Sequence, residues 1–344
     1  MAQKVSIAEI NTVFSNFVFF YELAETFDVQ TLVTDDVERA AAVIRGGGVV
    51  AFPTETVYGL GANAFDGEAV AKIFSAKGRP ADNPLIVHVS DAGQIAEIAM
   101  DLNAHTRLFI EKFFPGPLTI VAKGTGRVSE MATCGLDTIA FRMPANPLAR
   151  RLIEAAGTPL VAPSANISGR PSPTTWQAVL EDLNGRIDCI LTGSRTEIGL
   201  ESTVVDCTGD IPVLLRVGAV SVEQLREVVA ETQILEIANA TEIRSPGLKH
   251  KHYSPRANVV IIEDDAGIED ASAVAYIGID LPVRTFGVMK ICSTPEDYAH
   301  AMFEFFRECD RAGIGVIYCQ TVAEKGIGTA IMDRLRRAGE TATN

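Results

Sequence analysis

Short apolar runs alternate with helices whose ends are written into the chain, and this alternation limits the fold more than any other feature. In TDDVERAAAVIRGGGVVAFP, residues 34–53, Thr34 or Asp35 can cap a helix, Ala40, Ala41, Val43 and Ile44 give it an apolar face, and three glycines stop it. VVAFP then reads as a buried strand ended by Pro53. DGEAVAKIFSAKG is a helix from the Asp66 cap to the Gly78 terminator, and NPLIVHVS is again a strand. The pattern continues through NPLARRLIEAAG (helix), TPLVAPSA (strand into a polar loop), TTWQAVLEDLNG (helix), the strands DCILTG, STVVD and IPVLLRVG, and the helix SVEQLREVVAE. Strict βαβ alternation is missing, so residues 34–235 are expected to form one domain with an open, mixed, twisted sheet covered by helices.

The pattern loosens after Ile237. SPGLKHKHYSPRAN, residues 245–258, has two Ser-Pro steps, a burst of cationic and histidine side chains and no apolar period, so residues 236–258 read as a linker. Residues 259–344 resume the alternation. NVVIIE, AVAYIGI, VMKIC and IGVIYCQTV are strands, while TPEDYAHAMFEFFRECDRAG and GTAIMDRLRRAG are helices. A smaller, Rossmann-like parallel α/β domain follows from that order. Residues 1–33 precede the first regular pattern and are set apart as an N-terminal extension; within them NTVFSNFVFFYEL is too short to span a bilayer and lacks a basic leader.

Charge narrows the function. The 344 residues carry a net charge of −14, which opposes binding to nucleic acid or to anionic membranes. An anion site must then be a local cationic pocket. The six cysteines form no CxxC pair and lie in apolar runs, as expected of buried thiols in a reducing cytoplasm rather than of zinc ligands or disulfides. No P-loop, no GxGxxG after a strand, no GxSxG elbow and no HExxH occurs, so a phosphate site has to be built from side chains spread along the chain.

Several residues fit that need. Lys77 and Arg79 flank the helix-breaking Gly78 and precede Pro80, so their charges sit in a constrained loop; a basic helix end complementing the dipole is the plain alternative. Ser164 and Asn166, two apart in VAPSANISG, face the same way in an extended segment, or form an ordinary turn. Arg142 and Arg216 each end an apolar strand and need an anionic partner, either a ligand or a buried carboxylate. Thr54, Glu55 and Thr56, and likewise Glu201, Ser202 and Thr203, mark strand ends. His88, inside LIVHVS, is either a satisfied core histidine or a ligand contact.

In order along the chain, PTETVYGLG, KGRPADNPL, FPGPLT, RMP, PSANISG, ESTVVD and LLRVGA together resemble the threonylcarbamoyl-adenylate synthase family, whose shared module is the YrdC-like domain. The likeness covers about residues 34–235; SPGLKHKHYSPRA and the terminal EKGIGTAIMDRLRRA resemble the long form with a second domain. The resemblance implies a nucleotidyltransferase that joins L-threonine, bicarbonate and ATP, with Mg²⁺ accompanying the ATP, into threonylcarbamoyl-adenylate and pyrophosphate. Other proteins then transfer the threonylcarbamoyl group to a tRNA adenosine. It also implies Thr56, His88, Arg142 and Ser202 at threonine, and Lys77, Arg79, Asn83, Thr138, Ser164, Asn166, Ser172, Arg216 and Tyr253 at ATP. Lys77 and Arg79 would stabilise charge, with no covalent nucleophile and no protein ligand set for the metal. Tyr253 and its linker would close over the nucleotide. The alternative is an RNA-binding module without catalysis of its own. A carbamoyl-transfer enzyme of hydrogenase maturation would also need zinc-finger cysteine pairs, which are missing.

Overall fold

Strand pairing sets the architecture. The computed structural model describes residues 30–235, 253–268 and 271–339, and residues from Thr31 onward belong to one compact unit. Expectations for residues 1–29 and for most of the linker, residues 236–252, lie outside the described residues.

The first strand, β1 (Leu32–Thr34), precedes helix α1 (Val37–Arg45). Asp36, not Thr34 or Asp35, caps that helix, with its carboxylate accepting from the Glu38 and Arg39 amides at 2.9 and 3.2 Å. Thr34 is taken up by pairing β1 to a later strand, and its hydroxyl accepts from the Asp36 amide. Next come β2 (Val50–Phe52), β3 (Gly59–Asn63), α2 (Gly67–Lys77) and β4 (Ile86–His88). α2 has the expected ends, an Asp66 cap and a left-handed Gly78. β3 is not evident from its glycine-rich GLGAN sequence. Its glycines serve packing: a Cβ on Gly61 would lie 2.7 Å from the Phe52 ring, so the strand can lie under that aromatic only without a side chain there.

The segment α3 (Ala92–Ile98), β5 (Ala99–Met100), α4 (Ala104–Phe113), β6 (Leu118–Gly124) and α5 (Glu130–Thr133) is also unmarked by clear sequence periodicity. It leads to β7 (Thr138–Arg142), α6 (Pro147–Ala156), β8 (Leu160–Val161), α7 (Trp176–Leu183), β9 (Cys189–Leu191), β10 (Thr203–Asp206), β11 (Val213–Arg216), α8 (Val222–Val228) and β12 (Gln233–Ile234). These strands make a mixed sheet of order β1-β9-β2-β3-β8-β4-β7-β6-β10-β11-β12, with β5 on β6. Its parallel pairs, such as β4 with β7, alternate with antiparallel ones, such as β6 with β7. The mixed sheet expected from the irregular element order is therefore present. Its core runs from Tyr58 and Leu60 through Ile73, Phe109 and Phe141 to Ile190 and Leu225.

The second sheet contains β13 (Asn258–Ile262), β14 (Ala275–Gly278), β15 (Val288–Ile291) and β16 (Val316–Gln320), in order β13-β16-β14-β15 and all parallel. Helices α9 (Pro295–Arg311) and α10 (Ile327–Gly339) pack on it. Two buried arginines tie this layer to the first. Arg307 on α9 grips Asp182 on α7 at 2.8 and 3.1 Å, and Arg334 on α10 reaches Glu201 at 2.9 Å.

Candidate active site

Parallel pairing of β4 with β7 places His88 opposite Arg142 at the ends of both strands, and β10 pairing with β11 brings Arg216 beside Ser202. The cleft opens where these strand ends meet the turn after β2.

That turn is built by Thr54. Its hydroxyl accepts from the Thr56 and Val57 amides, donates to the Val57 carbonyl at 2.6 Å and lies 2.8 Å from the Thr56 hydroxyl. Arg142 then clamps the turn. It donates to Thr56 Oγ1 at 2.9 Å and to the Gly116 carbonyl at 3.1 Å, and its Nη2 stands 2.5 Å from Glu55 Oε1. This last contact is an ion pair bent away from hydrogen-bond geometry, since neither group gains a hydrogen bond from it. The buried carboxylate foreseen as the plain partner of Arg142 is thus Glu55. Five N–H donors leave the guanidinium some capacity for a ligand even so.

Gly78, at φ 59°, turns the chain out of α2 and aims Arg79 into the cleft. Arg79 gives Nε to the Asn83 carbonyl and Nη2 to the Pro84 carbonyl, at 3.2 and 3.1 Å. Lys77 is 2% exposed, and its ammonium donates to the Ser164 and Asn166 carbonyls, each at 2.6 Å. Among the described residues neither cation has an ion pair. Among the described residues their hydrogen bonds go to carbonyl dipoles. Burial pushes both groups down, helped by their mutual proximity in the case of Lys77: the Lys77 ammonium falls well below its usual value and Arg79 falls to about 10. An incoming anion reverses that cost.

Asn166 is a scaffold. Its amide donates to the Ile167 and Arg170 carbonyls at 2.8 and 2.9 Å, and its oxygen accepts from Ser164 Oγ at 2.6 Å. The two side chains do share a face, and they spend that arrangement on holding the loop. On the far wall Ser202 Oγ meets Thr119 Oγ1 at 2.7 Å and accepts from Arg216, which also grips the Ser202 carbonyl at 3.0 Å. Ser172 donates to Glu201 Oε1 at 2.5 Å. Burial works to raise the Glu201 carboxyl, but Arg334, Arg216 and the Ser172 hydroxyl outweigh it and hold the group below the usual carboxylate range. Tyr253 closes this side, stacked on Phe303 with ring centroids 5.4 Å apart and lying under the Arg334 guanidinium.

Thr56, Lys77, Arg79, His88, Arg142, Ser164, Asn166, Ser172, Ser202, Arg216 and Tyr253 therefore meet in one cleft. Asn83 is buried just behind Arg79, and its amide nitrogen has no hydrogen-bond partner. Thr138 does not join them. It begins β7, whereas Arg142 ends it; at ~3.3 Å per residue the two are roughly 13 Å apart, and Thr138 borders a separate hollow with Lys123 and Gly135. Sequence reasoning left Glu201 as a strand-end residue and did not single out Arg334. One of the three arginines in DRLRRA, some 130 residues away, it carries no local sign that it reaches the cleft. Among the described residues no group of three His, Cys, Asp or Glu side chains could hold a metal, and no helix is long and apolar enough to cross a membrane.

His88 gives a pH test. It is 4% exposed and its Nδ1 makes no hydrogen bond of good geometry among the described residues; burial, then the neighbouring Arg142 charge, outweighs the Ile86 backbone and lowers its pKa from 6.5 to about 3. Below pH 6.5 the unfolded chain protonates this ring and the folded chain resists until about pH 3. Its contribution to stability is thus complete above pH 6.5 and is lost as pH falls through that window, with a slope of up to about 1.4 kcal/mol per pH unit. His88→Asn should flatten the profile between pH 4 and 6.5 in urea titrations. Superimposable profiles for the two proteins would show that the ring is not held neutral.

A cleft cationic at its base, set at strand ends of a mixed α/β sheet and walled by a second sheet, defines a binder of small phosphorylated or carboxylated ligands. The comparisons refine this. The model of the Sua5, YciO and YrdC proteins, described as "Telomere recombination", matches residues 42–218, and a model described as "Threonylcarbamoyl-AMP synthase, C-terminal domain" matches residues 220–339. The chain is 43% identical to the threonylcarbamoyl-AMP synthase of Pyrococcus abyssi, over 87% of this chain and 92% of that protein, and 40% identical to that of Bacillus subtilis, over 89% and 94%. The crystal structure of P. abyssi Sua5 complexed with L-threonine superposes with a TM-score of 0.83 at 40% identity, covering 90% of this chain and 97% of that one. This chain belongs to the Sua5–YciO–YrdC family, in its two-domain form.

Proposed function

We propose that this protein is an L-threonylcarbamoyladenylate synthase, condensing L-threonine, bicarbonate and ATP with release of pyrophosphate, for proteins that carry the threonylcarbamoyl group on to tRNA. The observation that carries this reading is the pair Lys77 and Arg79, one cation buried and one half-buried in the same cleft, without ion pairs among the described residues. Full-length similarity to synthases of two organisms, and to a relative crystallised with L-threonine, supports the substrate class.

In this reading Arg142 and the Thr56 hydroxyl hold the amino-acid carboxylate, with neutral His88 and Ser202 completing the pocket. Lys77, Arg79 and Arg216 take the triphosphate, supported by Asn83, Ser164, Asn166 and Ser172, while Tyr253 covers the nucleotide. The threonine amine forms an N–C bond to the bicarbonate carbon, a C–O bond breaks with loss of water, and a carbamate results. Its oxygen attacks the α-phosphorus of ATP, the new O–P bond forms, and the bond to pyrophosphate breaks. The carbamate and the triphosphate both carry negative charge, so the chain's main task is to hold them together against repulsion and in line. No side chain needs to form a covalent bond. Mg²⁺ would accompany ATP as its counter-ion and supply charge neutralisation at the phosphates; among the described residues no group of three His, Cys, Asp or Glu side chains could hold it.

The test is incubation with ATP, Mg²⁺, threonine and labelled bicarbonate. Label should enter an adenylate, and pyrophosphate should appear only when threonine and bicarbonate are both present. Cleavage of ATP to ADP and phosphate, or pyrophosphate formation indifferent to threonine, would overturn the assignment.

A further inference from the structure

Glu201 places a carboxylate in the wall of a cleft that otherwise attracts anions. It is 8% exposed; Arg216 in the same wall acts on it through space while hydrogen-bonding Ser202. Its direct ion pair comes from the other sheet. Arg334, with no exposed surface, donates Nε to Glu201 Oε2 at 2.9 Å and Nη2 to the Val217 carbonyl at 3.0 Å, and its guanidinium carbon lies 5.0 Å from the centre of the Tyr253 ring. The remaining donors turn to Asp333. One side chain from α10 thereby neutralises the wall carboxylate, anchors the backbone next to Arg216 and supports the ring of Tyr253. An arginine is suited to this because its planar fork serves several acceptors at once while its face packs on an aromatic.

We infer that Arg334 is a positioning residue of the active site, supplied by the C-terminal domain, which cancels the Glu201 charge so that the cleft keeps its affinity for the nucleotide triphosphate. The inference rests on the function proposed above for its ligand. The second domain then has a chemical role as well as a structural one: without it the cleft would hold a carboxylate that has lost its ion-pair partner, beside the place where phosphates must sit. Glu201 in turn receives Ser172, so the pair also fixes that hydroxyl. Deleting one partner of a desolvated pair leaves the other charge exposed to whatever ligand binds next to it.

Full-length Arg334→Met, Arg334→Lys, Glu201→Gln and Arg334→Met/Glu201→Gln variants test this by ATP titration calorimetry and by KM for ATP and threonine. Arg334→Met should weaken ATP, in Kd and KM alike, by about tenfold or more while the threonine KM moves by less than about threefold. Glu201→Gln in the same background should recover most of that loss, because it removes the surplus charge. Arg334→Lys, which keeps the charge without the fork, should stay within about threefold of the parent for ATP. Unchanged ATP affinity in a folded Arg334→Met, or a double variant as weak as the single one, would overturn the inference. If Arg334→Met does not fold, the lysine variant decides, and a lysine variant that is folded yet as weak as a charge loss would overturn it too. Parent protein that binds no ATP counts instead against the proposed function.

Discussion

Arg142→Met is expected to lower the free energy of unfolding by about 3–5 kcal/mol, the cost of stranding one member of a buried ion pair. Glu55 and Arg142 have side chains only 3% and 4% exposed, and the Glu55 oxygens accept no hydrogen bond from the described residues. Without the guanidinium the carboxylate has no cation in contact. The same substitution frees the Thr56 hydroxyl and the Gly116 carbonyl, so the turn after β2 loses its clamp. Urea unfolding at neutral pH should show a midpoint shifted well below that of the parent, and threonine binding should be lost with it. Adding Glu55→Gln should restore a large part of the stability but none of the threonine binding. A loss smaller than about 1 kcal/mol in Arg142→Met would mean that the pair is solvated in the working protein.

Lys77→Met should do the opposite, sparing the fold and removing the activity. The ammonium is buried against carbonyls, so its deletion removes a desolvation cost together with its hydrogen bonds. The net change in stability should stay within about 1–3 kcal/mol. A charge-assisted contact to phosphate contributes roughly 1.5–3 kcal/mol, so kcat/KM for ATP should fall about ten- to a hundredfold. Steady-state pyrophosphate release and a thermal melt on the same sample would check this. Retained turnover, or a loss of turnover explained entirely by unfolding, would remove Lys77 from the phosphate site. Lys77→Arg should not rescue, because a planar fork cannot be placed among the Ser164 and Asn166 carbonyls as a compact ammonium is.

Much of this was legible in the chain itself. Helix ends written as Asp66 and Gly78, as Asn146 and Gly157, or as the Ser221 capping box specify themselves within a few residues, because a cap is a local hydrogen bond. The parallel second sheet also follows from its alternation of strands and amphipathic helices. The ordered motifs, through the family they resemble, pointed to residues that share the cleft, with Thr138 the exception. The glycine-rich β3 and the stretch from α3 to β6 escaped this reading. Their signals depend on what packs against them, as Phe52 does over Gly61. Thr138 and Arg142 share a strand and a motif, and only strand length separates them into different hollows. The tertiary structure alone decided the charge pairing. A sequence shows that Arg142, Arg216, Glu55 and Glu201 need partners, but the partner each one finds lies from 14 to 133 positions away. Arg142 finds Glu55, Glu201 finds Arg334, and among the described residues Lys77 and Arg79 find carbonyls. Burial makes those choices costly to undo, and that is the physical reason Lys77 and Arg79 carry the proposal of an anion site.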